Sequence, residues 1–182
     1  MSRVRATVFL FLFFFVFTSS QTTLARGPGA SRGIERQKAA ERLSPKLSFP
    51  FVPDPKMTTG SLCTPDNPDF ERYRYKERIP YCRRNVPTWM KNEVYRRYGV
   101  SLRCKSEYTI DHFIPLSLGG TNEFDNLWPE PKSIKALRQN LEYELYKRLR
   151  MGKITQAEAV LAIVQAKLNP PVRNPSEFEF CR

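Results

Sequence analysis

The pattern of apolar and polar positions changes period between Tyr108 and Pro131. Tyr108 to Ile110 alternates as a strand does, Gly119 to Asn122 is composed of turn-forming residues, and Phe124 to Trp128 is predicted to be a second short strand. A helical period then starts at Ser133. The order predicts a strand, an irregular loop, a strand and a helix.

Helical periods also lie on both sides of this unit. Upstream, a helix with Pro87 in its first turn and Gly99 as its stop is predicted from apolar residues that we expect to pack in the core: Trp89, Met90, Val94, Tyr95 and Tyr98. Downstream, one long helix from Ser133 to Met151 is predicted from Ile134, Leu137, Leu141, Leu145 and Leu149. A capping box at Thr155 and Glu158 predicts a shorter helix over Ala159 to Leu168. These elements define an α+β domain.

The longest apolar run, Ala6 to Phe17, stands near the start of the chain behind Arg3 and Arg5. A basic start, an apolar stretch and small residues before a cut after Ala25 predict a secretory signal peptide over residues 1–25. The run is shorter than the roughly 20 residues that a spanning helix needs, so no stable membrane span is expected after cleavage. The protein is therefore predicted to be secreted, into the periplasm or the extracellular medium.

Residues 26–60 have no steady apolar period and collect glycine, proline, serine and basic residues. This composition predicts a flexible basic arm or linker, with the folded domain over residues 61–182. The chain has 30 lysine and arginine residues against 18 acidic ones, a formal charge of +12. Removing the signal peptide takes away two arginines and no acid. Such a charge favours a polyanionic partner, although basic secreted proteins can also be basic for solubility alone.

The cysteines are four in number, Cys63, Cys82, Cys104 and Cys181. An even number in an exported chain predicts two disulfide bonds, for which three pairings are possible. We favour Cys63 with Cys82 and Cys104 with Cys181. No two cysteines have the spacing of a zinc site, so structural zinc is not predicted.

The candidate chemistry centres on Asp111 and His112, the only histidine of the chain. Neighbours on a regular strand point to opposite faces, so the two side chains could address one substrate only where the strand breaks, near Pro115. A carboxylate is a good ligand for Mg²⁺, and an imidazole is a suitable base for water. The pair could therefore divide the work of phosphodiester hydrolysis. Asn126 lies within an apolar strand, where a buried amide needs partners, whereas Asn122 is predicted to be a turn residue.

The succession of Asp111-His112, a proline, the Gly119-Gly120 turn and Asn126 in an Asn-Leu-Trp-Pro stretch resembles the HNH (His-Me finger, ββα-metal) nuclease family. The resemblance extends roughly over residues 62–163. It implies a small disulfide-stapled ββα-metal finger with a preceding helix and two C-terminal helices. It further implies a secreted endonuclease of low sequence specificity that depends on a divalent metal, Mg²⁺ or a similar ion. The expected products carry a 5′-phosphate and a 3′-hydroxyl.

Carried over residue by residue, the resemblance makes Asp111 a metal ligand, His112 the general base and Asn126 the brace of the loop. The third motif position is less direct, because bacterial relatives usually carry Lys-Asp where this chain has Gln139-Asn140. Asn140 is the expected second metal ligand, and Gln139 is the alternative.

Lys135 and Arg138, on the helix after the motif, are expected to contact phosphates of a nucleic acid, with DNA favoured over RNA. The protein is expected to be a monomer. The missing aspartate leaves an alternative open: a secreted nucleic-acid-binding protein without catalysis, on a degenerate HNH fold. A basic protein that binds membranes or cell walls is a further, weaker alternative.

Overall fold

The computed structural model describes residues 47–181, and within them four strands and four helices alternate with short 3₁₀ turns. The fold is α+β, as predicted, and its strands form two separate two-stranded antiparallel sheets. In chain order, the elements are β1 (Phe70–Arg74), β2 (Ile79–Cys82), α1 (Thr88–Arg97), β3 (Tyr108–His112), β4 (Leu127–Pro131), α2 (Lys132–Ala136), α3 (Leu141–Arg150) and α4 (Gln156–Leu168). The predicted signal peptide and most of the predicted arm lie outside the described residues. Over residues 47–181, no helix is both long and apolar enough to cross a membrane.

The second sheet pairs β3 with β4, so that Asp111 lies opposite Trp128 and His112 lies opposite Leu127. Strand β3 continues two residues beyond its predicted end at Ile110. The second strand begins later than predicted, because Phe124–Asn126 forms a 3₁₀ turn. The amide N–H of Asn126 bonds to the carbonyl of Glu123 to close this turn. The predicted strand, loop and strand are present with these shifts.

Between β3 and β4, the loop returns through the predicted Gly119-Gly120 turn. Gly119 has a φ of 89°, a conformation that favours glycine. At Gly120, a Cβ atom would lie 1.9 Å from the carbonyl oxygen of Ile114, so only glycine allows the two backbones to approach this closely. The turn therefore brings the loop back against the end of β3.

The predicted long helix over Ser133 to Met151 is wrong, because the segment forms two helices, α2 and α3. Asn140 has a φ of 64°, a left-handed conformation that a right-handed helix cannot contain. Leu137 lies in the break and is 40% exposed, whereas Leu145 and Leu149 of the same predicted stripe are buried on α3. The break also places Arg138 against β4, where it bonds Glu130.

The first and last of the described helices match their predicted start and stop signals, although α4 begins at Gln156, before the predicted Ala159. Helix α1 starts directly after Pro87 and is followed by Gly99 with a φ of 67°. Helix α4 starts with the predicted capping box, in which the Thr155 and Glu158 side chains bond each other's backbone N–H groups. One detail differs: Trp89, the second residue of α1, was expected in the core but is 62% exposed.

Two apolar clusters support the β3–β4 sheet. The first contains α1 and β4 side chains, among them Val94, Tyr95, Tyr98, Leu127 and Trp128. The second joins α3 and α4 to the loop before β4 through Leu118, Leu145, Leu149, Ala159 and Ile163. Full burial of a large apolar side chain is worth about 1.5–3 kcal/mol. The end of β3 is therefore held between two packed helical layers.

The ordered fold begins before residue 61, where the predicted arm should have ended. The Thr58 hydroxyl lies 2.6 Å from the Tyr98 hydroxyl and donates to the carbonyl of Leu127 at 3.1 Å. Val52 is buried. Residues 47–60 thus pack on α1 and β4 through hydrogen bonds and single side chains, which leave no apolar period in the sequence.

Two disulfides join Cys63 to Cys82 and Cys104 to Cys181, which confirms the favoured pairing. The first attaches the β1–β2 hairpin to the preceding segment. No apolar period predicted this hairpin, because charged residues occupy three of the five positions of β1, Glu71, Arg72 and Arg74. Its turn is also unusual, since Tyr75 and Arg78 both have positive φ angles.

Candidate functional site

The end of β3 presents two adjacent side chains to two different surroundings. Asp111 contacts Lys135 and Lys167, whereas His112 contacts Asn122 and Arg84. The partner sets do not overlap, as expected for neighbours on a regular strand. We call these two surroundings the acid side and the histidine side of β3.

On the acid side, Asp111 is 7% exposed and each of its oxygens accepts from an ammonium group. Oδ2 accepts from Lys167 Nζ at 2.5 Å, and Oδ1 accepts from Lys135 Nζ. Burial alone would raise the pKa of Asp111, but the charges of Lys167 and Lys135 hold this pKa well below its usual range. The carboxylate is therefore ionised and fully paired.

Lys167 is the most unusual residue of the acid side, because its side chain has no exposed surface. Its ammonium group also donates to the carbonyl oxygen of His112 at 2.6 Å and lies 3.2 Å from Glu142 Oε1. Sequence reasoning missed this lysine. A signal existed, because the buried positions Ala159 and Ile163 of α4 are four residues apart and the next step along the same face is Lys167.

A second buried ion pair lies nearby, between Glu130 of β4 and Arg138. Both terminal nitrogens of Arg138 donate to Glu130 Oε1, at 2.7 and 2.5 Å, and the arginine side chain is only 6% exposed. Burial raises the pKa of Glu130 to about 7, the Asp111 charge adds to the increase, and Arg138 opposes it. The predicted contact of Arg138 with phosphate does not fit this arrangement, because its guanidinium is already bound inside the protein.

Lys135, the other predicted phosphate contact, is partly exposed at 41% of its side chain but bonds Asp111. Burial would lower the pKa of Lys135, and the Asp111 carboxylate raises it overall. The ammonium group is therefore charged and shared between the carboxylate and solvent. Lys135 also lines an open pocket of about 440 Å³ together with Lys132, Gln139, Asn140 and Glu142.

The predicted metal ligands do not fit a divalent ion. Both oxygens of Asp111 are occupied by ammonium groups, and Asn140 is an exposed residue beside α3 that lines a pocket to which Asp111 does not contribute. Gln139 lies on the same exposed turn. Among residues 47–181, no group of three or more histidine, cysteine, aspartate or glutamate side chains could hold a metal ion. A dication on the acid side would have to compete with two resident positive charges.

On the histidine side, hydrogen bonds determine which ring nitrogen of His112 carries the proton. The amide nitrogen of Asn122 donates to Asp69 Oδ2 and to the carbonyl of Arg83, both at 2.8 Å. Its oxygen, Oδ1, therefore faces His112 Nε2 at 3.1 Å and can only accept. The neutral imidazole consequently carries its proton on Nε2, and the lone pair is on Nδ1, where it accepts from Arg84 Nη2. Asn122 is thus not the simple turn residue that the sequence predicted.

Arg84 closes the histidine side. Its Nη2 atom lies 3.5 Å from His112 Nδ1, and the imidazole is only 3% exposed. Burial lowers the pKa of His112 to about 4; the bond to Asn122 opposes the decrease and the Arg84 charge adds to it. The imidazole is therefore neutral at pH 7, and its basic nitrogen points at an exposed arginine.

The loop between the two strands is tied by Asn126, which is fully buried. Its side-chain oxygen accepts from the N–H of Ile114 at 2.8 Å, and its nitrogen donates to the carbonyls of Ile114 and Thr121 at 3.0 and 2.8 Å. These bonds hold the segment that follows His112 against the segment that carries Asn122. The amide makes the contacts that a brace requires.

Basic side chains are clustered on the β1–β2 hairpin and the residues that follow it. The Arg74 guanidinium lies over the ring of Tyr81 at 3.1 Å, and that of Arg78 lies over Tyr73 at 4.9 Å. Tyr75 fixes the hairpin to the loop by donating to the Ser117 carbonyl at 2.7 Å. The hairpin and its C-terminal extension, which we call the arginine hairpin, carry the basic residues Arg72, Arg74, Lys76, Arg78, Arg83 and Arg84. Sequence reasoning missed this surface, although its alternation of basic and aromatic residues is visible in the chain.

Comparison of the chain with models of protein families, with curated proteins and with solved structures finds no match.

Proposed function

We propose that the protein is an exported nuclease that binds nucleic acid through its basic surface and hydrolyses phosphodiester bonds with His112 as general base. One observation carries the proposal: Asn122 fixes the tautomer of His112, so that the basic Nδ1 atom faces the Arg84 guanidinium. A base and a phosphate-binding cation next to one another are the two groups that such a reaction needs.

The chemistry follows from this pair. A phosphate that accepts hydrogen bonds from Arg84 would displace the guanidinium from Nδ1 and bring its phosphorus atom beside the base. His112 Nδ1 takes a proton from a water molecule as the water oxygen attacks phosphorus, and the bond to the 3′ oxygen breaks. The 3′ oxygen takes a proton from solvent, which leaves a 3′-hydroxyl and a 5′-phosphate. A positioned general base contributes about 10²–10⁴-fold to such a rate.

The arginine hairpin supplies a surface for the rest of the nucleic acid. Its cations lie along one hairpin whose C-terminal extension ends at Arg84, so phosphates that follow the reacting one can be bound by the other basic residues. Two stacked arginine–tyrosine pairs hold the guanidinium groups in place. The formal charge of +12 for the whole chain supports a polyanionic partner, and DNA is the substrate we favour. Two disulfides and the predicted signal peptide support export.

A second candidate is a nucleic-acid-binding protein without catalysis. It is favoured by the 3% exposure of His112 and by the two lysines that saturate Asp111. In this case, Arg84 stays against the imidazole and the histidine side is structural. The arginine hairpin would then be the whole of the functional surface.

The two candidates are separated by one assay with the exported, oxidised protein. Plasmid DNA and a single-stranded RNA are each incubated with the wild type, with His112→Ala and with Arg173→Ala, which removes an exposed arginine of the C-terminal segment. Each reaction is run with Mg²⁺ and with EDTA. Cleavage by the wild type and by Arg173→Ala, lost in His112→Ala, supports the nuclease. A mobility shift without cleavage supports the second candidate. The absence of both cleavage and a mobility shift overturns both candidates.

A further inference from the structure

The acid side contains an oxygen-lined position that is already filled by a cation. Lys167 Nζ lies 2.5 Å from Asp111 Oδ2, 2.6 Å from the carbonyl oxygen of His112 and 3.2 Å from Glu142 Oε1. We infer that the Lys167 ammonium group takes the place of a divalent metal ion beside Asp111. The protein therefore binds no metal ion at this position.

The donor set is of the kind that binds hard cations. Two carboxylate oxygens and one backbone carbonyl are typical ligands of Mg²⁺ and Ca²⁺. An ammonium group has three hydrogens to donate, and three oxygens lie within reach of Lys167 Nζ. The oxygen atoms are thus satisfied by an internal cation, and a metal ion would have to remove this cation before it could bind.

The charges balance without any ion from solution. The carboxylates of Asp111 and Glu142 contribute two negative charges, and the ammonium groups of Lys167 and Lys135 contribute two positive ones. A divalent ion at this position would add two positive charges next to two lysines. The net negative charge that would attract a divalent ion to two neighbouring carboxylates is therefore absent.

Lys167 cannot simply move aside. It lies on the same face of α4 as Ala159 and Ile163, which are both fully buried in the second apolar cluster, and its own side chain has no exposed surface. Lys135, in contrast, is 41% exposed and can turn toward solvent without disturbing the core. Lys167 is therefore the fixed charge of the site, and Lys135 is the exchangeable one.

One consequence of this inference rests on the proposed function: the hydrolysis of nucleic acid should continue in EDTA. The occupancy of the site itself can be measured without any substrate. Failure to cleave nucleic acid would overturn the proposed function and leave the site unaffected, whereas binding of a metal beside Asp111 would overturn the inference alone.

The test is a Mn²⁺ titration, followed by electron paramagnetic resonance and by thermal unfolding, of the oxidised protein. The variants are Lys167→Met, which keeps the length of the side chain without its charge, and Lys135→Met as the matched control. We expect the wild type and Lys135→Met to bind no Mn²⁺ at a saturable site. Lys167→Met should gain a saturable site, with an affinity at least about tenfold above the detection limit that the wild type sets, and its Tm should rise with Mn²⁺.

A folded Lys167→Met that gains no Mn²⁺ affinity would overturn the inference, as would saturable Mn²⁺ binding to the wild type that weakens in Glu142→Gln. The latter variant changes a partly exposed carboxylate and keeps its shape. This variant tests whether the wild-type protein binds Mn²⁺ beside Asp111, even where Lys167→Met does not fold.

Discussion

The two sides of β3 use neighbouring residues in opposite ways. On the acid side, a carboxylate is ionised, buried and matched by two ammonium groups. On the histidine side, the imidazole is neutral, and its basic nitrogen lies next to an exposed arginine that solvent or a ligand can reach. In the first arrangement two lysines occupy both oxygens of the carboxylate, whereas in the second the Nδ1 lone pair is covered by one exposed guanidinium at 3.5 Å, which a ligand can displace.

The two sides of β3 have different roles, although Asp111 and His112 are adjacent in the sequence. Asp111 and His112 were expected to act on one substrate, but each side chain has its own set of partners. Charges that are paired inside a protein act chiefly on folding, because removing one partner leaves the other unpaired in a poorly solvated place. We therefore expect changes on the acid side to lower stability and changes on the histidine side to affect proton transfer.

The largest expected effect is that of Asp111→Ala on stability. The substitution leaves the buried Lys167 ammonium without its closest carboxylate, which should lower the free energy of unfolding by about 3–5 kcal/mol. Urea denaturation followed by tryptophan fluorescence measures the loss. The matched control is Glu144→Ala, which breaks the exposed pair with Lys147 and should cost no more than about 1 kcal/mol. Equal losses in both variants would contradict a structural role for the acid side.

The second prediction concerns pH and the histidine side. The pKa of His112 is about 4 in the folded protein and 6.5 as its ordinary value, so the unfolded chain binds the proton first as the pH falls. The contribution of His112 to stability is present above about pH 6.5 and is lost as the pH falls toward 4, by about 3 kcal/mol. Because the chain has one histidine, NMR titration of its imidazole signals reports this pKa directly.

Glu130 acts in the opposite sense over part of this range. Its pKa is raised to about 7, so the folded state binds that proton first and gains stability as the pH falls from 7 toward 4.5. Comparison of the stability profiles of the wild type and His112→Gln isolates the histidine contribution. An imidazole that titrates near 6.5 in the folded protein would contradict the burial assigned to His112.

The third prediction is that Asn126→Ala lowers the free energy of unfolding by about 1–3 kcal/mol. The N–H of Ile114 and two loop carbonyls lose their buried partner in this variant. Since this loop carries Asn122, the variant should also loosen His112, seen as altered imidazole shifts. Asn169→Ala is the control, because it removes an exposed amide that bonds only the carbonyl of Gln165. Loss of stability without a change in the imidazole shifts would show that the Asn126 bonds do not position His112.

The smallest expected effect is on binding to nucleic acid. Removing Arg74 and Arg78 together should weaken binding and reduce the slope of log affinity against log salt by about 1.8 on duplex DNA. The control removes Arg96 and Arg97, which are ion-paired with Glu93 on α1. Titrations at several salt concentrations measure both slopes. A larger change in the control would place the binding surface on α1 and not on the arginine hairpin.

The parts of the fold that the sequence predicted are those with local signals. Helices α1 and α4 have a proline or a capping box at one end and a regular apolar period, and the Gly119-Gly120 turn has a distinctive composition. The arginine hairpin and residues 47–60 could not be found in this way, because they pack through charged, aromatic and hydrogen-bonding groups without an apolar period. The break at Asn140 was missed because the apolar stripe continues through it.

The candidate site was predictable only in its first residues. Asp111, His112 and Asn126 stand close together in the chain, and a short spacing identifies them. Their partners come from far away, since Lys167 is 56 residues from Asp111 and Arg84 is 28 residues from His112. Whether a carboxylate lies beside a lysine depends on these distant residues, which the spacing of Asp111, His112 and Asn126 does not reveal.

The bond between Cys104 and Cys181 has a consequence for survival among proteases. The two residues are 77 positions apart, and the interval contains β3, the whole loop, β4 and the three helices that follow. A protease that cuts one peptide bond anywhere within it leaves two pieces that remain covalently attached. A nicked molecule would therefore migrate as a single band until a reducing agent is added, and it could keep its shape long after the first cut.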